Sequence, residues 1–470
     1  MTEKIKTDLC VIGAGSGGLS VAAGAVQMGA DVVLLECGRM GGDCLNYGCV
    51  PSKSLIAAAA HAKAVREGAQ FGVSAGEPQI NFAKTMAHVR GVIAAIAPND
   101  SQERFEKLGV KVIRDSAAFI GPRELKAGDA IIRAKHFVIA TGAKAAIPPI
   151  PGLDSVPYLT NETIFANTVL PDHLLIIGAG PIGAEMAQAF RRLGSAVSVI
   201  DGATLLSRDD PEAVDVVRRA FLDEEIALYE NQRVEAVRAE NGRIALTVGG
   251  RTISGSHLLV AAGRNAIPEG LDVEKAGVRL SKTGIETNAR LQTSNPRIYA
   301  AGDAAGGLQF THLAGDHAST IIRNILFKIP AKRRDALTPR ATYTDPELAA
   351  VGLSEKEALA RNPKAKIVRW PFEENDRAQA ERDTRGFVKA VTDAKGRILG
   401  ATIVGHGAGD LIHGFSFAIA NKMKISAFTN YIAPYPTRGE ALKRAAGAWY
   451  APTLFSGRTR ALVRLLALLD

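Results

Sequence analysis

The chain has 470 residues, room for roughly three domains of about 150 residues and for a sizeable core without covalent staples. A 47% apolar fraction with 22% charged residues excludes a disordered or collagen-like chain, and no apolar run of about twenty residues escapes Gly, Pro or charge, which argues against a spanning helix. The net charge of +9 shows no long basic tract, so an anionic small ligand is expected and nucleic acid is not; the excess lies in glycine, 47 residues against about 7% in an average protein.

At the N-terminus, Lys4 and Lys6 precede an apolar, small-residue run over 9–30 that superficially resembles a secretory leader. Gly13, Gly15, Gly17 and Gly18 break that run, which continues into an apolar stretch ending at Glu36. A strand, a Gly-rich turn, a helix and a second strand explain it better. Gly13, Gly15 and Gly18 form G-x-G-x-x-G, whose glycines permit a tight turn, close approach of backbone N–H groups to a pyrophosphate and tight helix–strand packing. Glu36 is placed to accept from a ribose diol.

All four cysteines, Cys10, Cys37, Cys44 and Cys49, lie in the first fifty residues, so no disulfide framework staples the rest. That usage points to a reducing compartment, and a cytoplasmic location is expected. Cys44 and Cys49 are five positions apart, about 7.5 Å of rise in a regular helix, too far for comfortable bridging. A bridge would need a distorted first turn, for which Gly48 and Pro51 are suitable, and a helix N-terminus would lower the thiol pKa. A zinc site would want two more ligands nearby, whereas Cys10 belongs to a strand and Cys37 follows the ribose acid. A redox pair is therefore favoured over a metal site, and no metal ligand set is assigned.

The Gly-rich turn recurs at Gly178, Gly180 and Gly183, with Asp201 closing the next strand; Gly13 to Glu36 and Gly178 to Asp201 are each 23 positions. Two equally spaced turns imply two dinucleotide sites. Each is followed by a later apolar strand, over 137–142 and 258–263, expected to return beside its nucleotide. An acid at Asp201 favours NAD over NADP, because a 2′-phosphate there would meet like charge. At the far end, Leu462, Leu465, Leu466 and Leu469 fall at helical spacing with Arg458, Arg460 and Arg464 nearby. This helix is expected to pack on the chain's own dimer, with a weak membrane-surface contact as the other reading.

The segment Gly-Gly-Asp-Cys-Leu-Asn-Tyr-Gly-Cys-Val-Pro-Ser-Lys over 41–53 resembles the active-site signature of the FAD-dependent pyridine nucleotide–disulfide oxidoreductases, among them dihydrolipoamide dehydrogenase, glutathione reductase and mercuric reductase. The resemblance continues in Thr141 and Gly142, in 178–185, 262–264, 298–303 and 343–352, and in Gly-Phe-Val-Lys over 386–389. It implies an α/β fold with two Rossmann-like dinucleotide-binding domains plus a C-terminal α+β dimerisation domain. The expected division is 1–155 for FAD, 156–272 for NAD(H), 273–337 completing the FAD site and 338–470 for the interface of a homodimer.

By the same resemblance FAD sits on the first fingerprint, with Ala117, Thr141, Gly142, Asp303, Gln309, Phe310, Thr311 and His312 contributing. NAD(H) sits on the second, with Val234 and Gly263 contributing, and NADP(H) is less expected. Cys49 is implied as the flavin-proximal sulfur and Cys44 as the one that exchanges with the acceptor. Lys53, paired with Glu185, is implied to lie beside the flavin ring.

One departure stands out. Where lipoamide and glutathione reductases carry His-Pro-Thr-x-x-Glu, with the partner subunit's His as acid–base, this chain has Tyr435 and Glu440 in that frame. Tyrosine at this place resembles mercuric reductase, yet none of the four cysteines lies beyond Cys49, so a C-terminal thiol pair is not expected. Among the histidines, His312, His317 and His413 are candidates to replace the missing base. The expected activity passes electrons from NADH through flavin to Cys44–Cys49, then to a small or protein-bound disulfide, a metal ion or another acceptor. Dihydrolipoamide dehydrogenase is the second reading. A slow-turnover nucleotide-sensing or membrane-docked protein is the third, and the cysteine pair counts against it.

Overall fold

A computed structural model describes residues 3–469. Contacts divide the chain into two units, one running to Ala203 and resuming over Leu228–Asp335, the other joining Thr204–Ala227 to the chain from Ala336.

The first unit holds two sheets built on parallel strands. Across the larger one the order is Lys111–Ile113, Val32–Leu35, Glu3–Ile12, Ala130–Ile139, Glu124–Ala127 and Ala117–Gly121, with Ile298–Ala300 also paired to Ala130–Ile139. Leu9 pairs with Val32 on one side and His136 on the other, both in parallel. Residues 9–12 are buried throughout, as expected of a parallel strand covered on both faces. The three strands from Ala117 to Ile139 are an antiparallel meander whose long last member enters the parallel core. Helix Ser16–Gln27 is made almost wholly of small residues, and Gly17 and Gly24 let helix Thr311–Ile325 approach through Ala314 and Ile322.

The smaller sheet runs Ala227–Tyr229, Ala196–Ile200, His173–Ile177, His257–Val260, and the last three strands are parallel. Both later apolar strands expected from the sequence thus return beside a fingerprint strand. A three-stranded antiparallel sheet, Val234–Glu240, Arg243–Val248 and Arg251–Gly255, belongs to the same unit.

The second unit is α+β. Its antiparallel sheet runs Arg340–Thr342, Glu347–Gly352, Ile398–Gly405, Phe387–Thr392 and Lys366–Pro371, with helices Ala408–Ala420 and Glu440–Leu454 packed against it. The fold class is therefore the expected one. Helix Pro211–Asp223, which lies within the 156–272 segment expected to bind nicotinamide, packs on this antiparallel sheet instead. Charge explains why. Lys389, in a strand buried along its whole length, places its ammonium 2.9 Å from Asp210, 2.8 Å from Glu212 and 3.0 Å from Glu355. Asp210 also caps the helix by accepting from the N–H groups of Glu212 and Ala213.

The three carboxylates raise the Lys389 pKa well above the usual lysine range despite the opposing cost of burial. Lys389→Met should leave them facing one another and lower the unfolding free energy by about 3–5 kcal/mol in urea titrations of the FAD-loaded protein. A loss under about 1 kcal/mol would mean that the cluster is as weak as a surface pair.

Candidate active site

Two glycine cradles in the first unit share one geometry. Gly13 and Gly178 have φ of +103° and +114°, and a methyl on either would collide with a carbonyl oxygen, of Ala140 or Ala261. A methyl on Gly18 or Gly183 would strike the carbonyl of its own turn, at Gly13 or Gly178, so the third glycine lets the helix seat on the turn. The middle positions differ: nothing lies within 4 Å of a methyl on Gly180, and only Gly42 Cα, at 3.7 Å, faces one on Gly15. Space is thus kept at the N-terminus of helices Ser16–Gln27 and Pro181–Arg192, neither of which has a side-chain cap. First-turn N–H groups left uncapped beside open space fit a pyrophosphate.

The two acids behave alike. Glu36 accepts from Ala14 N at 2.7 Å and Gly38 N at 2.6 Å; Asp201 accepts from Ala179 N and Ala203 N, both at 2.7 Å. Each carboxylate pins the turn to the end of the next strand. Each oxygen retains acceptor capacity for a ribose hydroxyl.

Between Gly41 and Lys53 the structure departs from one helix with a distorted start. Cys44 lies in a short helix, Gly42–Asn46, and Cys49 opens a separate helix, Cys49–Glu67; Tyr47 and Gly48 form the break. The break removes the helical rise that separates residues five apart and brings the thiols into hydrogen-bonding contact. Both cysteines are free thiols, Cys44 half-buried and Cys49 exposed. The hydrogen bond from Cys44 lowers the Cys49 pKa to about 6, aided by Thr311, whose hydroxyl is 3.4 Å from Sγ, and by the Lys53 charge. The same hydrogen bond, with burial, raises the Cys44 thiol far above its ordinary value. The two influences run in opposite directions, favouring negative charge at Cys49 over Cys44.

Lys53 follows Cys49 by four residues, on the same helix face, and its Nζ is 2.7 Å from Glu185 Oε2. Glu185 is 5% exposed, so it is a buried carboxylate held by its cation. Before Cys44, Asp43 accepts from Asn161 at 2.9 Å and lies 3.2 Å from Arg264. Arg264 also donates to Ala143 O at 2.6 Å and approaches Asp303 at 3.5 Å. Its Nε, the atom nearest Asp303, is buried and makes no hydrogen bond, so that contact is an ion pair only. Burial raises the Asp303 pKa against the pull of Arg264.

His317 is fully buried and serves as a clamp. Its Nδ1 accepts from Gly302 N at 3.2 Å, so the ring proton is on Nε2, which donates to Asp335 Oδ1 at 3.3 Å; Arg333 Nε holds Asp335 at 2.7 Å. Burial lowers the His317 pKa, and with both ring nitrogens engaged and no exposed surface the ring is unavailable as a replacement acid–base. It fixes the turn that carries Asp303. Of its neighbours, Phe310 and His312 stack at 5.3 Å between ring centroids, Gln309 is half-buried, and Thr311 begins the next helix beside Cys49.

The remaining expected residues sit at strand ends. Thr141 and Gly142 follow strand Ala130–Ile139, Gly263 follows His257–Val260, and Ala117 and Val234 begin strands of the antiparallel parts. In the second unit, the pairing of Tyr435 with Glu440 that the motif implies is not made. The Tyr435 hydroxyl donates to Asp376 at 2.8 Å, while Glu440, first residue of its helix, is taken by Arg444 one turn on at 2.7 Å. The bond to Asp376 holds the exposed phenol above its ordinary pKa. His413 is exposed on helix Ala408–Ala420. Asp43, Asn161, Arg264 and Asp335 went unassigned from the sequence, although Asp43 and Arg264 stand inside recognisable motifs.

The family described as pyridine nucleotide-disulphide oxidoreductase matches residues 7–318, and its dimerisation domain matches 338–446. The chain is 34% identical over 451 residues to a mercuric reductase of Streptomyces lividans, covering 93% of this chain and 95% of that one. It is 34% identical over 456 residues to a mercuric reductase of Shewanella putrefaciens, covering 95% and 82%. In structure it is similar to the HOCl-induced flavoprotein disulfide reductase RclA from Escherichia coli, with a TM-score of 0.85, 26% identity and coverage of 94% and 99%. It is likewise similar to LpdA from Mycobacterium tuberculosis, with a TM-score of 0.86, 26% identity and the same coverage. With matches over nearly its whole length and two cradles fitted to dinucleotides, the chain belongs to the pyridine nucleotide–disulphide oxidoreductases, flavoenzymes that bind FAD and NAD(P)H.

Proposed function

We propose that this chain is an NADH-linked oxidoreductase, working as a homodimer, whose group facing the acceptor is the Cys44–Cys49 pair. Bound FAD supplies two-electron transfer between nicotinamide and that pair. The observation that carries the reading is the placement of Cys44 and Cys49 on either side of a helix break, with Lys53 one turn beyond Cys49 and Thr311 at its Sγ; the lowered Cys49 and raised Cys44 proton affinities agree with it. In the reduced pair Cys49 holds the negative charge near Lys53, which Glu185 keeps in place. Cys44 holds the proton and is the sulfur offered to the acceptor. The carboxylate at Asp201 supports NADH, since a 2′-phosphate would add like charge beside it.

The proton inventory bears on the acceptor. Attack on a disulfide needs Cys44 as a thiolate: it forms a mixed disulfide, one thiolate leaves, and Cys49 displaces the second as the Cys44–Cys49 bond closes. Something must first take the Cys44 proton. In the frame where relatives of the lipoamide type place histidine, Tyr435 offers a neutral phenol already donating to Asp376. A soft metal ion needs no such base, because binding to sulfur itself displaces the proton. Several relatives are named mercuric reductase. We therefore favour a soft metal ion, or another acceptor that needs no base, over lipoamide or glutathione disulfide.

In steady-state turnover of the FAD-loaded protein, NADH should show a KM about tenfold or more below that of NADPH. The long-wavelength thiolate–flavin band of the reduced protein should be present above a pH of about 6 and fade as Cys49 is protonated below it. No band in the wild type, or a band unchanged in Cys49→Ser, would falsify the disulfide route. Turnover with lipoamide should be slow, and Tyr435→His should raise it by about tenfold or more while leaving Hg(II)-dependent NADH oxidation unchanged. Fast lipoamide turnover in the wild type would instead favour a dihydrolipoamide dehydrogenase.

A further inference from the structure

The tail of the second unit ends in helix Gly457–Leu466, capped by Ser456, and no residue of it is buried. Leu462, Val463, Leu465, Leu466, Leu468 and Leu469 are each at least half exposed, from 50% at Leu466 to 81% at Leu469. At about 100° per residue, Leu462, Leu465 and Leu466 share one face while Arg460 and Arg464 occupy the opposite one, and Leu468 and Leu469 follow the end of the helix. Arg458, in the first turn, falls on the leucine side by the same count, and its long side chain must extend past that face to bring its charge outward. The helix carries Arg458, Arg460 and Arg464 and no acid, with Asp470 following it in the sequence.

We propose that this helix lies in the headgroup plane of an anionic lipid surface, its leucines toward the acyl chains and its arginines on the phosphates. Charge decides between this occupant and a second copy of the chain. A copy would bring another chain of net charge +9 against a segment that has cations and no acids, whereas anionic headgroups complement it. Length decides between lying and spanning. Ten residues rise about 15 Å, half of the hydrocarbon thickness, and no helix among the described residues is long and apolar enough to cross a membrane. The docking is independent of which acceptor the cysteine pair serves.

The test is flotation of the full-length, FAD-loaded protein with vesicles of phosphatidylcholine alone or mixed with phosphatidylglycerol. Partition onto the mixed vesicles should exceed that onto phosphatidylcholine by on the order of a hundredfold at low salt and collapse at high salt. Joint replacement Arg458→Gln, Arg460→Gln and Arg464→Gln should remove the preference, and Leu465→Asp with Leu469→Asp should remove binding, both with FAD content and NADH oxidation unchanged. Equal partition onto both vesicle types, absence of binding, or variants that bind as the wild type does would each overturn the proposal. So would a wild type that ignores vesicles while the leucine variant shifts from dimer to monomer in sedimentation, which would assign the face to a second copy.

Discussion

Everything around the redox pair depends on one buried carboxylate. Glu185 is 5% exposed, and Lys53 pairs with it at 2.7 Å. Lys53 is one turn beyond Cys49, so satisfying Glu185 also fixes where the helix begins. On the other side of the break, Asp43 is met by Arg264, which follows the last strand of the second cradle's sheet. The segment bearing both cysteines is therefore gripped at its two ends by charged residues from the second dinucleotide-binding module. Removing either partner would leave a desolvated charge, costing about 3–5 kcal/mol where burial is complete.

This grip sets the division of labour between the sulfurs. Two thiolates in contact would repel, so the pair keeps one proton near neutrality. Asp43 disfavours negative charge at both sulfurs, but Cys49 alone has the Lys53 charge among its stabilising influences. Helix geometry adds to this, because Cys49 opens its helix and Cys44 sits inside another. The asymmetry is thus built from residues within ten positions of the pair together with Thr311, and it exists in the chain before any acceptor arrives.

What the sequence disclosed follows from how local each constraint is. The two fingerprints were legible because a positive φ at Gly13 and a close approach at Gly18 are demands on single positions, repeated at Gly178 and Gly183. The distortion between the cysteines was legible in Gly48, which takes φ −122° and ψ −112°, but not that it splits the segment into two helices rather than bending the first turn of one. Arg264 with Asp43, His317 with Gly302 and Asp335, and Lys389 with Asp210 join residues that only the folded chain brings together. A motif can mark such a residue without naming its partner. Helix Pro211–Asp223 shows the same limit: it lies within the segment expected to bind NAD(H), and nothing in its own residues names the antiparallel sheet that receives it.

Two lysine–carboxylate clusters show how similar chemistry divides between structure and function. Lys389 is buried among Asp210, Glu212 and Glu355, with its side chain 5% accessible. Its charge is more than balanced and has no open side, so it can fix one arrangement of strand and helix but cannot respond to a change of charge nearby. Lys53 is paired with Glu185 yet keeps 36% of its side chain accessible, one turn from a sulfur that gains and loses charge. A cation held firmly on one side and open on the other can stabilise charge that appears and disappears. The accessible fraction, more than the ion pair itself, separates a lysine that can only organise a core from one that is free to serve the reaction we propose for the cysteine pair.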